Sequence, residues 1–176
     1  MRSRAKAVNF GIVYGISAYS LSEQTGVSFK EAQEYIANYL ATYHGVDAYM
    51  KKSIEEAKEK GYAVTAYGRR RYLPELLSGN FTVRSFGERV ARNMPIQGTA
   101  ADIIKLAMVR VAKRLSEEKL DASLIMQVHD ELIVEANENC AERAAEILKA
   151  EMENAAALSV LLEVDVNVGK TWLEAH

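Results

Sequence analysis

The chain has 176 residues, of which 49% are apolar and 26% are charged, and its formal net charge is −2. This composition is typical of one globular domain with a hydrophobic core, and it excludes a disordered, collagen-like or low-complexity chain. The sequence has neither an apolar stretch long enough to cross a membrane nor a secretory signal, and its single cysteine excludes an internal disulfide and favours a reducing compartment.

Helices are predicted over most of the first 61 residues, from the spacing of apolar side chains and from the glycines that end them. Ser28 and Glu31 have the spacing of a capping box, which predicts the start of the third helix. Gly45 is predicted to separate the third helix from the fourth. The predicted ranges are about 3–15, 18–25, 29–43 and 47–60.

The rest of the chain is predicted to mix helices with short strands. Pro95 has no N–H, so it either kinks one long helix or starts a second one. Two strands meet at a tight hairpin with His129 and Asp130 at its tip, and alternation predicts a final strand over 162–168. The predicted helices are 83–93, 96–119 and 138–157, and the other predicted strands are 62–65, 71–73, 124–128 and 131–135.

Four side chains recur at intervals of four in the first predicted helix and so form one stripe along it: Arg2, Lys6, Phe10 and Tyr14. Two cations followed by two aromatic rings suit a ligand with a phosphate tail and a flat base. The reason is that guanidinium and ammonium groups bind phosphate oxygens, whereas rings stack on a sugar or a base. The alternative is an ordinary amphipathic helix with its rings in the core and its cations in solvent.

Two adjacent acids, Asp130 and Glu131, follow His129 at the tip of the predicted hairpin. Like charges repel each other, and a divalent cation would remove that cost through the oxygen ligands that hard cations prefer. The alternative is an exposed turn, for which aspartate is well suited. The three histidines do not have the spacing of a zinc site.

Other polar side chains are suited to nucleic acid. Arg89, Asn93 and Gln97 lie four apart and could donate to acceptors in the minor groove of a duplex. Three consecutive arginines at 69–71 are candidates for phosphate contacts. Residues 1–110 carry 16 basic and 10 acidic side chains, which favours a polyanionic partner. A solvated helix surface and a solvated turn remain the alternatives.

In this order and at this spacing, the motifs resemble those of the family A DNA polymerases, the bacterial DNA polymerase I type. The resemblance rests on RSRAKAVNFGIVYG at 2–15, GRRR at 68–71, NMPIQGTAAD at 93–102 and QVHDE at 127–131. It covers essentially the whole chain, up to Trp172 and His176. Four motifs in one order are highly specific, and together they favour the functional interpretation of each.

The resemblance implies an α+β fold dominated by helices. Fingers helices (1–66) would join a C-terminal palm portion (67–176) in one interleaved unit that is truncated at its N-terminal end. The metal-binding hairpin (124–135) and the strand near 163–168 would form the remaining part of an antiparallel palm sheet. The family also implies a location in the bacterial cytoplasm, associated with the nucleoid, without membrane contact.

The function implied by the resemblance is that of a DNA-directed DNA polymerase, a nucleotidyltransferase of DNA replication and repair. Such an enzyme transfers nucleotides from dNTP to a primer 3′-OH with two Mg²⁺ ions. By this resemblance Arg2 and Lys6 would contact the triphosphate, and Lys6 is also the candidate proton donor to the leaving pyrophosphate. Phe10 would lie against the sugar, and Tyr14 would lie beside the nascent base pair.

The remaining roles implied by the family concern metal and DNA. Asp130 would bind the catalytic metal ions, with Glu131 as a nearby supporting acid. Primer–template DNA would be contacted by Arg69, Arg70, Arg89, Asn93, Gln97 and His129.

The family's site uses two metal-binding aspartates, one in the hairpin and one in a palm strand upstream of the fingers helix. Because this sequence begins at that helix, the resemblance implies an upstream polymerase region that is supplied in cis or by a separate chain. We expect the isolated chain to have no polymerase activity, since Asp130 alone cannot hold two metal ions.

Two other functions remain open at this point. A non-catalytic remnant would bind DNA or nucleotide without chemistry. A metal-dependent nuclease could be built on the acidic hairpin. It would need more carboxylates near Asp130 and Glu131, and it would leave the stripe from Arg2 to Tyr14 unexplained.

Overall fold

The structure is a computed structural model that describes residues 2–175, except for the side chains of residues 2–4 and 7. Its fold is α+β and dominated by helices, which confirms the predicted class. Within the described residues, no helix has the length and apolar content needed to cross a lipid bilayer. The helices are α1 (Arg2–Val13), α2 (Ala18–Thr25), α3 (Phe29–Thr42), α4 (His44–Lys60), α5 (Phe81–Glu117), α6 (Ala141–Glu153) and α7 (Trp172–Ala175). The strands are β1 (Tyr62–Val64), β2 (Arg70–Tyr72), β3 (Ala122–Val128) and β4 (Glu131–Ala136), and two 3₁₀ turns span Pro74–Leu77 and Glu138–Cys140.

Two compact units make up the chain, Met1–Thr99 and Ala100–His176, and the boundary between them lies inside α5. The first unit contains α1 to α4, the antiparallel pair β1–β2 and the first half of α5. Its buried core combines small residues with two leucines, which lets these short elements approach each other closely. The buried residues are Ala57, Ala63, Leu73, Leu76 and Ala91.

The second unit packs the last half of α5 and the helix α6 against the antiparallel hairpin β3–β4. Apolar residues recur on α5 at a helical period, so that Ala107, Val111 and Leu115 all face this core. Leu132 of β4 and Ile147 of α6 complete the buried contact. The hairpin is therefore held against the core along its length, up to Leu132, which directly follows Glu131 at the tip.

Local sequence signals start and end the helices as predicted. Glu31 N–H donates to Ser28 Oγ at 3.2 Å, and Ser28 N–H donates to Glu31 Oε2 at 2.9 Å, so the predicted capping box is present. Gly26 and Gly61 follow α2 and α4 with φ of 71° and 77°, a left-handed conformation that glycine adopts without strain.

Gly45 and Pro95 both lie inside helices. Gly45 is the second residue of α4, where the first turn has few intrahelical hydrogen bonds to weaken. The predicted break between the third and fourth helices is present, but it lies at Tyr43 and not at Gly45. Pro95 lies within the 37-residue helix α5, which settles the two alternatives in favour of one helix. The Thr99 hydroxyl donates to the Pro95 carbonyl and supports the backbone beside the missing donor.

The final strand predicted over 162–168 is absent among the described residues, so that prediction is wrong. Burial still alternates from Leu162 to Val166, as expected for an extended chain, but the described sheets have two strands each and neither includes this segment. Alternation predicts an extended backbone, whereas a strand also needs a neighbour to accept and donate ladder hydrogen bonds.

The helix predicted over 138–157 is shorter than expected. It begins with the 3₁₀ turn and ends at Glu153, where Asn154 N–H donates to the Ala150 carbonyl and the Asn154 carbonyl accepts from Arg110. These contacts satisfy the last turn, so the chain leaves the helix before the alanines that follow.

An ion-pair network joins the ends of α5 and α6. Arg143 donates from Nε and Nη2 to the two carboxylate oxygens of Glu118 at 2.7 Å each, a bidentate pair. Arg114 donates to Glu118 at 3.0 Å and to Glu151 at 3.1 Å. Hydrogen bonding from Arg143, followed by that from Arg114, holds the pKa of Glu118 below its ordinary value of 4.5.

We predict that Glu118→Gln lowers the melting temperature at neutral pH. Because the folded-state pKa of Glu118 is lowered, its contribution is present above its ordinary pKa and is lost as the pH falls through the lower folded-state value. The difference in melting temperature between the native chain and the variant should therefore shrink with falling pH. Glu117→Gln is the matched control, because among the described residues Glu117 forms an ion pair with Lys113 at 3.6 Å and takes no part in the network. A difference that stays constant with pH would contradict this role.

Candidate nucleic-acid interface

Lys6 and Phe10 of α1 form a continuous exposed row with Tyr14, which directly follows the helix. Lys6 Nζ lies 5.7 Å from the centroid of the Phe10 ring, and the Phe10 and Tyr14 rings stack with centroids 6.3 Å apart and an interplanar angle of 15°. Phe10 is 49% exposed and Tyr14 is 43% exposed, so these rings do not belong to a hydrophobic core. The row is available to a ligand. The side chain of Arg2, the fourth predicted member, lies outside the described residues.

The other faces of α1 hold the helix in the first unit. Ile12 is buried, and the Tyr39 hydroxyl of α3 donates to Asn9 Oδ1 at 2.7 Å. After the last turn, Gly15 has a φ of 78°, and Ile16 N–H donates to the Gly11 carbonyl at 2.8 Å. The sequence indicated the exposed row, but it did not indicate these attachments.

A cavity of about 570 Å³ in the first unit brings together side chains from α1, α5 and the β1–β2 loop. We call it the arginine groove. It unites every predicted DNA-contact residue of this unit with Tyr14 of the α1 row. The lining residues are Tyr14, Arg69, Arg70, Arg71, Phe86, Arg89, Val90, Asn93, Met94, Gln97 and Gly98.

The chemistry of the arginine groove suits a polyanion with flat bases. Four of its lining side chains are arginines, two are amides, and the described lining contains no carboxylate. Arg70 lies over the Tyr62 ring at 4.8 Å, and Arg89 lies over the Phe86 ring at 5.9 Å. These cation–π contacts orient the guanidinium groups while leaving their N–H donors available for phosphate oxygens.

Gly98 and Thr99 attach the loop between β1 and β2 (residues 65–69, here called the arginine loop) to α5, a role that the sequence did not predict. A Cβ at Gly98 would lie 2.6 Å from Thr65 Cγ2, so only glycine allows this approach. The Thr99 hydroxyl accepts from Ala66 N–H at 2.9 Å, and Thr65 Oγ1 accepts from Arg69 N–H at 3.1 Å. A glycine inside a helix was the available signal, because its cost usually marks a close contact.

The acidic tip lies in the second unit, in the two-residue loop between β3 and β4. Val128 pairs with Glu131 across the hairpin, and His129 has a φ of 53°. Gln127 Nε2 donates to the His129 carbonyl at 2.8 Å and fixes the tip from within. A register shift between Leu124 and Met126 marks a β-bulge in β3. Asp130 is exposed, and Glu131 is partly buried.

Oxygen ligands at this tip could hold part of a divalent metal site. Asp130 presents its carboxylate to solvent next to Glu131. Among the described residues, however, no group of three or more His, Cys, Asp or Glu side chains is placed to hold a metal ion. The tip therefore supplies at most two carboxylates, an arrangement that Mg²⁺ completes elsewhere with water and phosphate oxygens.

A second cavity, of about 860 Å³, lies between α1 and α3 and was not predicted. Lys6 and Phe10 border it on the α1 side, and three tyrosines border it on the α3 side. Those tyrosines are Tyr35, Tyr39 and Tyr43.

Comparisons with known proteins agree on one family. The model of DNA polymerase family A matches residues 1–174. DNA polymerase I of Bacillus caldotenax is 54% identical over 175 residues, and that of Pseudomonas aeruginosa is 51% identical over the same number; each match covers 99% of this chain. The thermostable DNA polymerase I of Thermus aquaticus is 46% identical over 175 residues.

The same likeness holds at the level of structure. The polymerase domain of a mycobacterial enzyme, described as Pol1 from M. smegmatis in complex with DNA primer-template and dNTP, superposes with a TM-score of 0.94 at 42% identity. That match covers 99% of this chain and 31% of the mycobacterial one. The chain spans about a fifth of the length of the curated relatives it matches: 20% of the Bacillus protein, 19% of the Pseudomonas protein and 21% of the Thermus protein.

We predict that Thr99→Val destabilises the first unit by about 1 kcal/mol, because Ala66 N–H loses its acceptor and the Pro95 carbonyl loses its extra donor. Thr99→Ser is the control, since it keeps the hydroxyl and removes a methyl group. Urea unfolding measures both variants. Equal stability of the valine and serine variants would show that the hydroxyl does not hold the arginine loop.

Proposed function

The chain belongs to DNA polymerase family A, and we propose that it supplies the fingers and part of the palm of a DNA-directed DNA polymerase. In this proposal residues 1–66 are fingers helices, and residues 67–176 contribute to the palm. The enzyme would extend a primer 3′-OH from dNTP during DNA replication and repair, on nucleoid DNA in the bacterial cytoplasm. The upstream part of the polymerase would be supplied in cis or by a partner chain.

One observation carries the proposal: Tyr14 belongs both to the exposed row on α1 and to the lining of the arginine groove. A duplex bound in the groove would therefore end beside the cation and rings of that row. A primer–template junction with an incoming nucleotide requires a DNA groove next to a nucleotide site. An ordinary amphipathic helix with a solvated surface would not need to lie beside such a groove.

In the proposed nucleotide site, Lys6 places a point charge on the triphosphate, and Arg2 adds a second cation. Lys6 would also give a proton to the leaving pyrophosphate. Phe10 lies against the sugar and Tyr14 against the nascent base pair, which is consistent with their exposed, stacked rings. Phosphoryl transfer depends mainly on such positioning and on charge neutralisation.

In the proposed DNA site, two sets of side chains act differently. Arg69 and Arg70 would contact phosphates and set the register of the duplex, whereas Arg89 with the amides of Asn93 and Gln97 would donate to minor-groove acceptors. All five line the arginine groove. His129 would contact the primer end from the tip of the second unit.

The proposed metal ligands are Asp130 and Glu131, because carboxylate oxygens suit Mg²⁺ and the tip leaves the remaining positions to water and phosphate. Two bound ions would supply charge neutralisation at the attacking 3′-oxygen and at the leaving phosphate oxygen. In this proposal the chain presents Asp130 at the tip of the hairpin, and the hydrogen bond from Gln127 to the His129 carbonyl stabilises that tip.

We predict that Arg69→Gln combined with Arg70→Gln weakens binding of primer–template DNA by roughly tenfold at low salt. Losing two phosphate contacts should also reduce the slope of log affinity against log salt by about two. Fluorescence anisotropy of a labelled primer–template with the 176-residue chain measures both quantities.

The matched control is the double variant Lys51→Gln and Lys52→Gln, two adjacent exposed cations on α4 that lie outside the arginine groove. If both double variants lose affinity equally, net charge and not the groove binds DNA, and the proposed interface is wrong.

We predict that Lys6→Ala, introduced into a complete polymerase that contains this segment, lowers kcat/KM for dNTP. The loss should correspond to about 2–4 kcal/mol of transition-state binding. The affinity for primer–template should stay unchanged, because Lys6 does not line the groove. Lys30→Ala on α3 is the control for the loss of one exposed cation. Unchanged steady-state kinetics of Lys6→Ala would reject the assigned role.

A further inference from the structure

Arg92 of α5 lies beside Gly15, which follows the last turn of α1. A Cβ at Gly15 would lie 3.0 Å from Arg92 Cζ and Nη1 and 3.1 Å from Nη2. Gly15 also has a φ of 78°, a conformation that glycine adopts without strain. The backbone therefore favours glycine here, and the guanidinium occupies the space next to the end of α1 that a side chain at Gly15 would need.

The charges at this contact are complementary. The C-terminal end of a helix carries partial negative charge, which a nearby cation stabilises. Helix α1 has no basic residue in its last turn and no acidic residue in its first turn, so nothing within the helix offsets this dipole. Arg92 supplies from α5 the cation that the last turn of α1 lacks.

Arg92 is partly buried, and its burial has a desolvation cost. Desolvation lowers the pKa of Arg92, and the nearby Glu88 opposes that effect. Within α5, Arg92 Nε donates to the Glu88 carbonyl at 3.3 Å, while Nη1 and Nη2 lie beside Gly15. The arginine thus bridges α5 and the end of α1.

We infer that Arg92 is a positioning residue: its guanidinium clamps the C-terminal end of α1 against α5 and thereby holds Tyr14 at the edge of the arginine groove. The functional effect of this clamp rests on the proposed function, in which Tyr14 lies beside the nascent base pair. Gly15 directly follows Tyr14 in the sequence. On α5, Arg92 lies between Arg89 and Asn93, which both line the arginine groove.

Helix α1 needs such a clamp because its own packing is sparse. Among its described side chains, Ile12 alone is fully buried, and Gly11 lowers its intrinsic helix stability. The Asn9–Tyr39 hydrogen bond holds the middle of the helix, and Arg92 holds its end. Loosening the end would let the Tyr14 ring leave the groove while the groove itself remained intact.

Hydrogen exchange of the 176-residue chain tests the clamp without any ligand. Arg92→Met should speed exchange of the Gly15 and Ile16 amides by about fivefold, the size expected for losing a cation at a helix end. Arg92→Lys keeps the charge and should restore part of the protection. The internal control is Gly26, which ends α2 with a similar φ of 71° but has no atom within 4 Å of a Cβ built there. Unchanged exchange at Gly15, or equal acceleration at Gly26, would overturn the clamp.

DNA binding then tests the consequence for Tyr14. The native chain and Arg92→Met are compared on a blunt duplex and on a primer–template with an unpaired templating base. Arg92→Met should lower the preference for the primer–template about fivefold and leave affinity for the blunt duplex unchanged. An equal loss on both substrates would make Arg92 a phosphate contact and overturn the inference. If the native chain binds neither substrate, the proposed function fails while the exchange experiment still decides the clamp.

A double-mutant cycle tests the contact itself. Gly15→Ala in the native chain adds both backbone strain and a collision with the guanidinium, whereas in an Arg92→Ala background it adds only the strain. The drop in melting temperature caused by Gly15→Ala should therefore be smaller in the Arg92→Ala background. Equal drops would show that Arg92 does not rest on Gly15 in solution.

Discussion

The first unit depends on the close approach of the arginine loop to α5 at Gly98. The Thr65 methyl group occupies the space that a side chain at Gly98 would need. The Thr99 hydroxyl accepts a hydrogen bond from Ala66 N–H of the loop and donates one to the Pro95 carbonyl of α5. Because α5 continues through Pro95, the loop meets the same helix that carries Arg89, Asn93 and Gln97. Without this contact, the arginines and the row of donors would not line one groove.

The exposed rings of α1 are a second consequence of how the unit is built. A helix that buried Phe10 and Tyr14 would gain more from the hydrophobic effect than α1 does from Ile12. Helix α1 instead buries little apolar surface, and Tyr39 and Arg92 hold it through polar groups. Elements held in this way have low local stability, which suits a part of a protein that must move around a ligand.

Local signals were predictable from the sequence, whereas long-range contacts were not. Ser28 and Glu31 lie three residues apart, so their capping box follows from the sequence alone. The sequence alternation over 162–168 is matched by alternating burial from Leu162 to Val166, but strand pairing depends on a neighbour that the described sheets do not provide. Similarly, the motif residues predicted the chemistry of the groove, while Thr65–Gly98 and Gly15–Arg92 became visible only once distant segments were brought together.

The β-bulge in β3 makes one position of this hairpin tolerant of a change in chain length. Ile125 is the extra residue, and after it Gln127 pairs with Leu132, on the same side of the hairpin as Leu124 and Val134. Removing Ile125 would leave Leu124 opposite Val134 and Met126 opposite Ile133, because these pairs already follow one another on β4. Gln127 and His129 would stay two residues apart, so the tip would keep its hydrogen bond while the strand lost its local bend. Homologous segments should therefore tolerate the loss of a residue here better than elsewhere in the hairpin, where a shift of one residue moves side chains to the opposite face.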